Sequence, residues 1–94
     1  MPTTRSTGRT WTTKTLTTLF DMTAEGSTQA QIAKRLRRTP KAIERKAAKV
    51  RKALATELRR KSYLKMTFPA ICTSVYQDPK LFTRVSAAIA DGRI

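Results

Sequence analysis

One stretch of the chain has the residue types and the spacing to bind a polyanion. Residues 34–52 read KRLRRTPKAIERKAAKVRK, in which ten of nineteen side chains are Lys or Arg and the one acid is Glu44. Ammonium and guanidinium groups attract phosphate oxygens and donate hydrogen bonds to them. Because so many like charges repel one another within a short segment, we expect this stretch to meet a partner of opposite charge.

The net charge of +14 over 94 residues is concentrated in the middle of the chain. Residues 1–33 carry a net charge of +1, residues 34–65 carry +12, and residues 66–94 carry +1. A charge of this size draws a small protein toward nucleic acid or toward an anionic membrane surface. The question of a partner is therefore a question about residues 34–65.

Other chemistry has little support in the sequence. The chain has no His, one Cys and six scattered acids, so we predict no metal cluster, no catalytic triad and no paired carboxylate site. It also has no Gly-rich phosphate loop. We therefore expect no catalytic residue, no cofactor and no small-molecule substrate. Cys72 lies in an apolar run and is predicted to be a buried thiol.

The sequence also predicts where the chain resides. No stretch approaches the roughly 18 to 20 apolar residues that a membrane span needs, and the N-terminal MPTTRSTGRT lacks the apolar region of a signal peptide. A single Cys leaves no internal disulfide and fits a reducing compartment. We expect a cytoplasmic protein with no membrane partner.

Two helices are predicted to hold the basic stretch. Thr28 and Gln31 have the spacing of a capping box, which starts a helix of about residues 28–37. Thr39 is the N-cap of the next helix, and Pro40 falls at its first position, where a missing N–H costs nothing. That helix is predicted to run from residue 40 to about 55 or longer.

The helix that begins at Pro40 is predicted to separate apolar side chains from basic ones. Four apolar residues recur at intervals of four, three and four and fall within about 60° of one another on a helical wheel: Ile43, Ala47, Val50 and Leu54. The opposite side carries Lys41, Arg45, Lys49 and Lys52. A disordered basic tail would show no such segregation.

Helices are also predicted on either side of this pair. Apolar residues from Trp11 onward fit one face of a first helix, about residues 12–24, which ends at Gly26. Asp78 and Pro79 begin a C-terminal helix of about residues 79–91.

Two points of the prediction stay open. The segment FPAICTSVYQ is compatible with a helical turn or a strand, and a break near residues 55–57 is as compatible with the sequence as a helix that continues to residue 65. We expect an all-α fold with a flexible arm over 1–10, a three-helix helix-turn-helix bundle over 11–55 and a helical extension over 56–94.

The residues of this bundle resemble the Myb/SANT-like tri-helical domain of many small bacterial DNA-binding proteins, including regulators of the GcrA type. The resemblance covers about residues 11–54 and rests on an ordered set: Trp11-Thr12, Gly26, Thr28, Ile32-Ala33, Leu36, Thr39, Ala42-Ile43 and a basic tail to Val50. The family commonly has an acid three residues after the first Thr, where this chain has Thr15.

The resemblance implies a small transcriptional regulator that inserts the helix starting at Pro40 into the major groove of double-stranded DNA. Base contacts are then expected from Lys41, Ala42, Arg45 and Lys46, and Arg45 would bond guanine N7 and O6 together. Phosphate contacts, which position the protein, are expected from a larger set: Lys34, Arg35, Arg37, Arg38, Lys49, Arg51 and Lys52.

Other functions stay open at this point. A SANT-type module could dock on a protein partner, and a small basic protein could bind RNA, although exposed aromatic residues for base stacking are lacking. Binding to a membrane surface through a basic amphipathic helix is a further alternative. Residues 66–91 either form a homodimer or protein-partner interface or cover the first or third helix of the same chain.

Overall fold

Residues 11–94 are described by a computed structural model and form helices joined by short turns. The elements are α1 (Thr13–Ala24), α2 (Gln29–Leu36), α3 (Pro40–Glu57), a 3₁₀ helix (Lys61–Lys65), α4 (Phe68–Gln77) and α5 (Pro79–Ala90). The predicted all-α fold class is confirmed. The arm predicted for residues 1–10 lies outside the described residues.

Hydroxyl groups start most of these helices. Threonine side chains accept a backbone N–H bond at the N-termini of α1, α2, α3 and α4, and Asp78 does so for α5. The capping box predicted for α2 is present, because the Gln31 N–H donates to Thr28 Oγ1 at 3.1 Å and the Thr28 N–H donates to Gln31 Oε1 at 2.9 Å. These bonds satisfy backbone donors that have no partner inside the helix.

Helix α1 has a capping box in which a hydroxyl replaces the acid. The Thr12 N–H donates to Thr15 Oγ1 at 2.8 Å, and the Thr15 N–H donates to Thr12 Oγ1 at 3.2 Å. Thr15, which stands where Myb/SANT-like domains commonly have an acid, thus still completes the capping box. Packing also stabilises this threonine-rich helix, because the helix buries Leu16, Leu19 and Phe20.

Four helices end in the same backbone motif, in which a residue in the left-handed conformation is followed by a 6→1 hydrogen bond. The 6→1 bonds run from Ser27 to Met22, Arg38 to Ala33, Arg60 to Ala55 and Arg93 to Ala88. The left-handed residue is Gly26 after α1 and Gly92 after α5, but Arg37 after α2 and Arg59 after α3. The left-handed residue is therefore an arginine at the C-terminal ends of α2 and α3.

The structure decides both open points of the sequence analysis. Helix α3 ends at Glu57, and residues 68–77 are helical. Thr67 caps α4, Pro69 lies in its first turn, and the buried residues Phe68, Ile71, Cys72 and Val75 follow helical spacing. This apolar face packs on α1, where the rings of Phe20 and Phe68 are 5.4 Å apart.

The C-terminal part of the chain covers the side of the bundle away from the basic stretch. Helices α4 and α5 both contact α1, and α4 also contacts α3. Of the two roles left open for residues 66–91, these contacts show the covering of α1 within one chain. The packing leaves α2 and α3 with an outer side that no helix of residues 11–94 covers.

Candidate nucleic-acid interface

Helix α3 presents a cationic face to solvent and an apolar face to the core. Ile43, Val50 and Leu54 are at most 1% exposed, as the helical spacing predicted. The side chains on the opposite side are all exposed, and we call them the cationic face: Lys41, Arg45, Lys49 and Lys52. Because the core holds one face in place, the charged face keeps a fixed orientation.

Small side chains interrupt the charge on this helix. Ala48 is exposed between Arg45 and Lys49, and Ala42, a predicted base contact, is half-buried near the start of the helix. A methyl group at these positions lets a base edge approach the backbone more closely than a long side chain would. The sequence analysis did not single out Ala48, although its place on the helical wheel lies beside the basic residues.

A tight basic turn leads into the cationic face. Lys34 and Arg35 are exposed in the last turn of α2, and Arg37 follows with φ 57° in the left-handed region. Thr39 then caps α3, since its hydroxyl accepts the Ala42 N–H at 3.1 Å. These residues, predicted to contact phosphates, therefore lie next to the N-terminal end of α3.

The Trp11 ring contacts two cations near the N-terminal end of α3. The guanidinium carbon of Arg38 lies 4.2 Å from the centre of the indole ring, and Lys46 Nζ lies 5.6 Å from it. Both distances are those of cation–π contacts. The sequence predicted Arg38 and Lys46 as DNA contacts but gave no sign that they share a ring, because Trp11 reaches them only through the packing of the bundle.

The electrostatic surroundings of Lys46 disfavour its charge. Partial burial lowers the pKa of Lys46, and the neighbouring charges of Lys49 and Arg38 lower it further. A phosphate placed here would relieve this repulsion.

Arg51 has a role inside the fold. Its Nη1 donates to the Met66 carbonyl at 3.1 Å, and its Nε is buried with no hydrogen-bond partner among residues 11–94. The side chain thereby ties α3 to the segment after the 3₁₀ helix. The phosphate contact predicted for Arg51 stays a prediction.

Acidic side chains do little to offset the charge of residues 34–52. Both ion pairs found within residues 11–94 are made by Arg93, with Glu57 at 3.1 Å and with Asp91 at 3.2 Å. Neither involves a residue of the basic stretch. Glu44 is exposed on α3 and is the one acid within that stretch.

Four basic residues that the sequence analysis did not assign lie beyond the C-terminal end of α3. Arg59, Arg60, Lys61 and Lys65 are all exposed, and we call them the distal cluster. They belong to the segment of +12 charge, so the charge count was the signal that could have found them. The predicted interface stopped at Lys52 because the helix end was not fixed by the sequence.

Two features of the described residues lie outside the basic stretch: the thiol of Cys72 and a cleft next to α4. Cys72 is fully buried, and burial raises the pKa of its thiol to about 12. A cleft of about 380 Å³ lies between α1 and α4 and is lined by Asp21, Ala24, Glu25, Thr73, Tyr76 and Gln77. Within it the Tyr76 hydroxyl donates a hydrogen bond to Asp21 Oδ1, and burial together with this bond raises the pKa of Tyr76.

No group of three or more His, Cys, Asp or Glu side chains in residues 11–94 could hold a metal ion. None of the helices in this range is both long and apolar enough to cross a membrane.

Comparison of the chain with protein-family models, with curated proteins and with solved structures found no match in any of the three. The resemblance to Myb/SANT-like domains therefore stays a hypothesis that rests on the residues given above.

Proposed function

We propose that this chain is a small DNA-binding regulator that places α3 in the major groove of duplex DNA. One observation carries the proposal: Lys41, Arg45, Lys49 and Lys52 are exposed along one side of a helix whose other side is in the core. A helix with this division enters the groove without losing its packing. The proposal includes a Myb/SANT-like arrangement of α1 to α3 and a place on the nucleoid.

The roles of the residues follow from their positions along α3. Lys41 and Arg45 project from the N-terminal half of the helix, which is nearest the base edges in helix-turn-helix complexes. Arg45 is the proposed reader of guanine, because its planar guanidinium bonds two acceptors together. The basic turn before Thr39 meets the phosphates of one strand and orients α3 without reading sequence.

The pair of cations on Trp11 supports this arrangement. Stacking on the ring holds Arg38 and Lys46 near fixed positions before any DNA is bound. A side chain that is already ordered loses less conformational entropy on binding. Lys46 then lies at the edge of the groove, next to the bases that Arg45 would contact.

The first experiment compares Arg45→Ala with wild type on DNA. Duplexes bound by the wild type are selected from a random pool, and the affinity of each protein is measured for a selected duplex, a scrambled duplex and RNA of the same length. We expect Arg45→Ala to lose about 5- to 150-fold on the selected duplex, the range of a good base contact, and much less on the scrambled one.

Lys80→Ala is the matched control. It removes one positive charge from an exposed residue of α5 and should change both affinities only slightly. Equal proportional losses for Arg45→Ala on both duplexes would make Arg45 a phosphate contact. Tighter binding to RNA than to any duplex would reject the proposal in favour of an RNA-binding protein.

A second proposed function concerns the outer side of α4 and α5. Contrary to the expectation that exposed aromatic residues are lacking, Phe82 is 43% exposed and Tyr76 is 37% exposed, and their rings meet edge-on with centres 5.2 Å apart. One helix-turn-helix reads few base pairs, so useful specificity needs a second copy on an adjacent half-site. We propose that this aromatic pair contributes to a homodimer interface. Light scattering over a concentration series tests it: a dimer that Phe82→Ser converts to monomer supports it, and a monomer at every concentration rejects it.

A further inference from the structure

The distal cluster is more basic than its place at a helix end explains. Cations near a helix C-terminus interact favourably with the helix dipole and with the last carbonyl groups. That effect acts over one turn, whereas four exposed cations occur within seven residues here: Arg59, Arg60, Lys61 and Lys65. Their mutual repulsion opposes the benefit to the helix.

The backbone gives an independent sign that charge is retained at this end. Arg59 has φ 54°, a conformation that glycine adopts freely and other residues rarely do. The equivalent motifs after α1 and α5 have glycine, Gly26 and Gly92. The two motifs with arginine, at Arg37 and Arg59, are those that precede and follow α3. An arginine at a position suited to glycine favours a role for its side chain.

Glu57, the acid that precedes the distal cluster in the chain, is bonded to residues of another part of the fold. The carboxylate of Glu57, at the end of α3, pairs with Arg93 at 3.1 Å, and its carbonyl accepts a bond from Arg84 Nη2 at 3.4 Å. Both partners belong to α5 and the residues after it. Glu57 is thereby held toward α5 by these bonds.

The length of α3 relates the distal cluster to the rest of the interface. Eighteen helical residues at 1.5 Å each span about 27 Å, so the two ends of α3 are too far apart to meet the same phosphate group. The major groove is only about 12 Å wide. A helix with cationic side chains along its whole length therefore fits a course along the groove better than insertion of its tip alone.

We propose that the distal cluster is a second phosphate-binding site, which holds the backbone of the same duplex at the far end of α3. This inference rests on the proposed DNA-binding function and extends its footprint. The basic turn after α2 binds the backbone at one end of the footprint, and the turn after α3 binds it at the other end.

The test is a salt titration on a DNA hairpin with a stem of 16 base pairs. The variant Arg60→Ala/Lys61→Ala removes two charges of the distal cluster and leaves the left-handed residue Arg59 in place. The control Lys14→Ala/Lys80→Ala removes two exposed charges elsewhere. Circular dichroism melting of all three proteins confirms that each variant is folded.

We expect the distal variant to lower the slope of log K against log salt by about 2 on the 16-base-pair stem, since each phosphate contributes about 0.9. The control variant should leave the slope close to that of the wild type. An unchanged slope for the distal variant would overturn the second site. So would a decrease that the control variant reproduces.

The outcome separates this inference from the function on which it rests. A steep slope for the wild type with no effect of the distal variant removes the second site and leaves DNA binding intact. A wild-type slope shallower than about 2 in magnitude removes DNA as the main partner, and the second site with it.

Discussion

Cys72 is a packing residue of α4, and its thiol is protected by the fold. The side chain is fully buried against the core, and burial raises its pKa from 9.0 to about 12. The unfolded chain loses the thiol proton at a lower pH than the folded protein does. The protonated thiol therefore contributes stability that is complete below pH 9 and is lost as the pH rises from 9 toward 12.

This difference predicts how the stability of the protein changes in alkali. The wild type should lose about 1.4 kcal/mol relative to Cys72→Ala when the pH is raised from 8 to 10, because the thiol then ionises mainly in the unfolded state. Urea denaturation of both proteins at the two pH values measures it. Parallel losses in the two proteins would show that the thiol ionises equally in the folded protein.

The sequence predicted which side chains of α3 are buried and missed how some of its cations are held. The burial of Ile43 and Val50 followed from spacing alone, since a helix fixes which side chains share a face. The stacking of Arg38 on Trp11 joins residues 27 positions apart, and such a contact depends on how α1 packs. The capping role of Thr15 was missed because a hydroxyl stands where Myb/SANT-like domains commonly have an acid.

At the scale of elements, the backbone conformation at the helix ends depends on residues that helix propensity does not single out. The left-handed residues after α2 and α3 are Arg37 and Arg59, whereas glycine fills this role after α1 and α5. A side chain in this conformation costs roughly 1–2 kcal/mol because Cβ crowds the following carbonyl oxygen. Part of the stability of the bundle is thus given up at the two ends of its most basic helix.

Arg59→Gly should therefore stabilise the protein. We expect a gain of about 1 kcal/mol in the free energy of unfolding, since glycine adopts the left-handed conformation without the Cβ contact. Arg59→Ala is the matched control, because it removes the same charge but keeps Cβ. Urea denaturation at one pH compares the three proteins, and equal stability of the two variants would argue against backbone strain at this position.

The helix α3 also allows a direct test of the core beneath the cationic face. Leu54 is 0% exposed, and Leu54→Ala should lower the free energy of unfolding by about 2–5 kcal/mol through lost burial and the remaining cavity. Ala48→Ser, on the exposed side of the same helix, should change it by less than about 1 kcal/mol. A loss below 1 kcal/mol for Leu54→Ala would mean that α3 is not held by this face.

Helix α4 shows where pattern alone was insufficient. Its ten residues include Ile71, Thr73, Val75 and Tyr76, which are common in strands, and the segment is too short for its period to exclude a strand. Thr67 and Pro69 favour a helix start, but the face that packs on α1 decides the outcome. The sequence alone did not identify α1 as the helix on which this segment packs.

At the scale of the whole molecule, charge and packing divide the bundle in two. Residues 34–65 carry +12, and α4 and α5 cover α1, so the basic helices keep an open side. The proposed function needs such an asymmetry, because a duplex approaches a positive surface from one direction and is steered by its field.

The salt dependence of binding is the prediction that belongs to this scale. With six to eight phosphates neutralised, log K should fall against log salt with a slope of roughly −5 to −7. Titration of the full chain with a labelled 16-base-pair duplex at four salt concentrations measures the slope. A slope shallower than about −2 contradicts the extent of the proposed interface.

The contact of Trp11 with Arg38 has a practical consequence. Trp11 is the single tryptophan of the chain, so the indole emission of the protein comes from one ring, and that ring lies under a guanidinium at the rim of the proposed groove-binding surface. On the proposed function, a phosphate bound by Arg38 or Lys46 changes the charge beside this ring. Indole emission would then report occupancy of this surface without an attached dye.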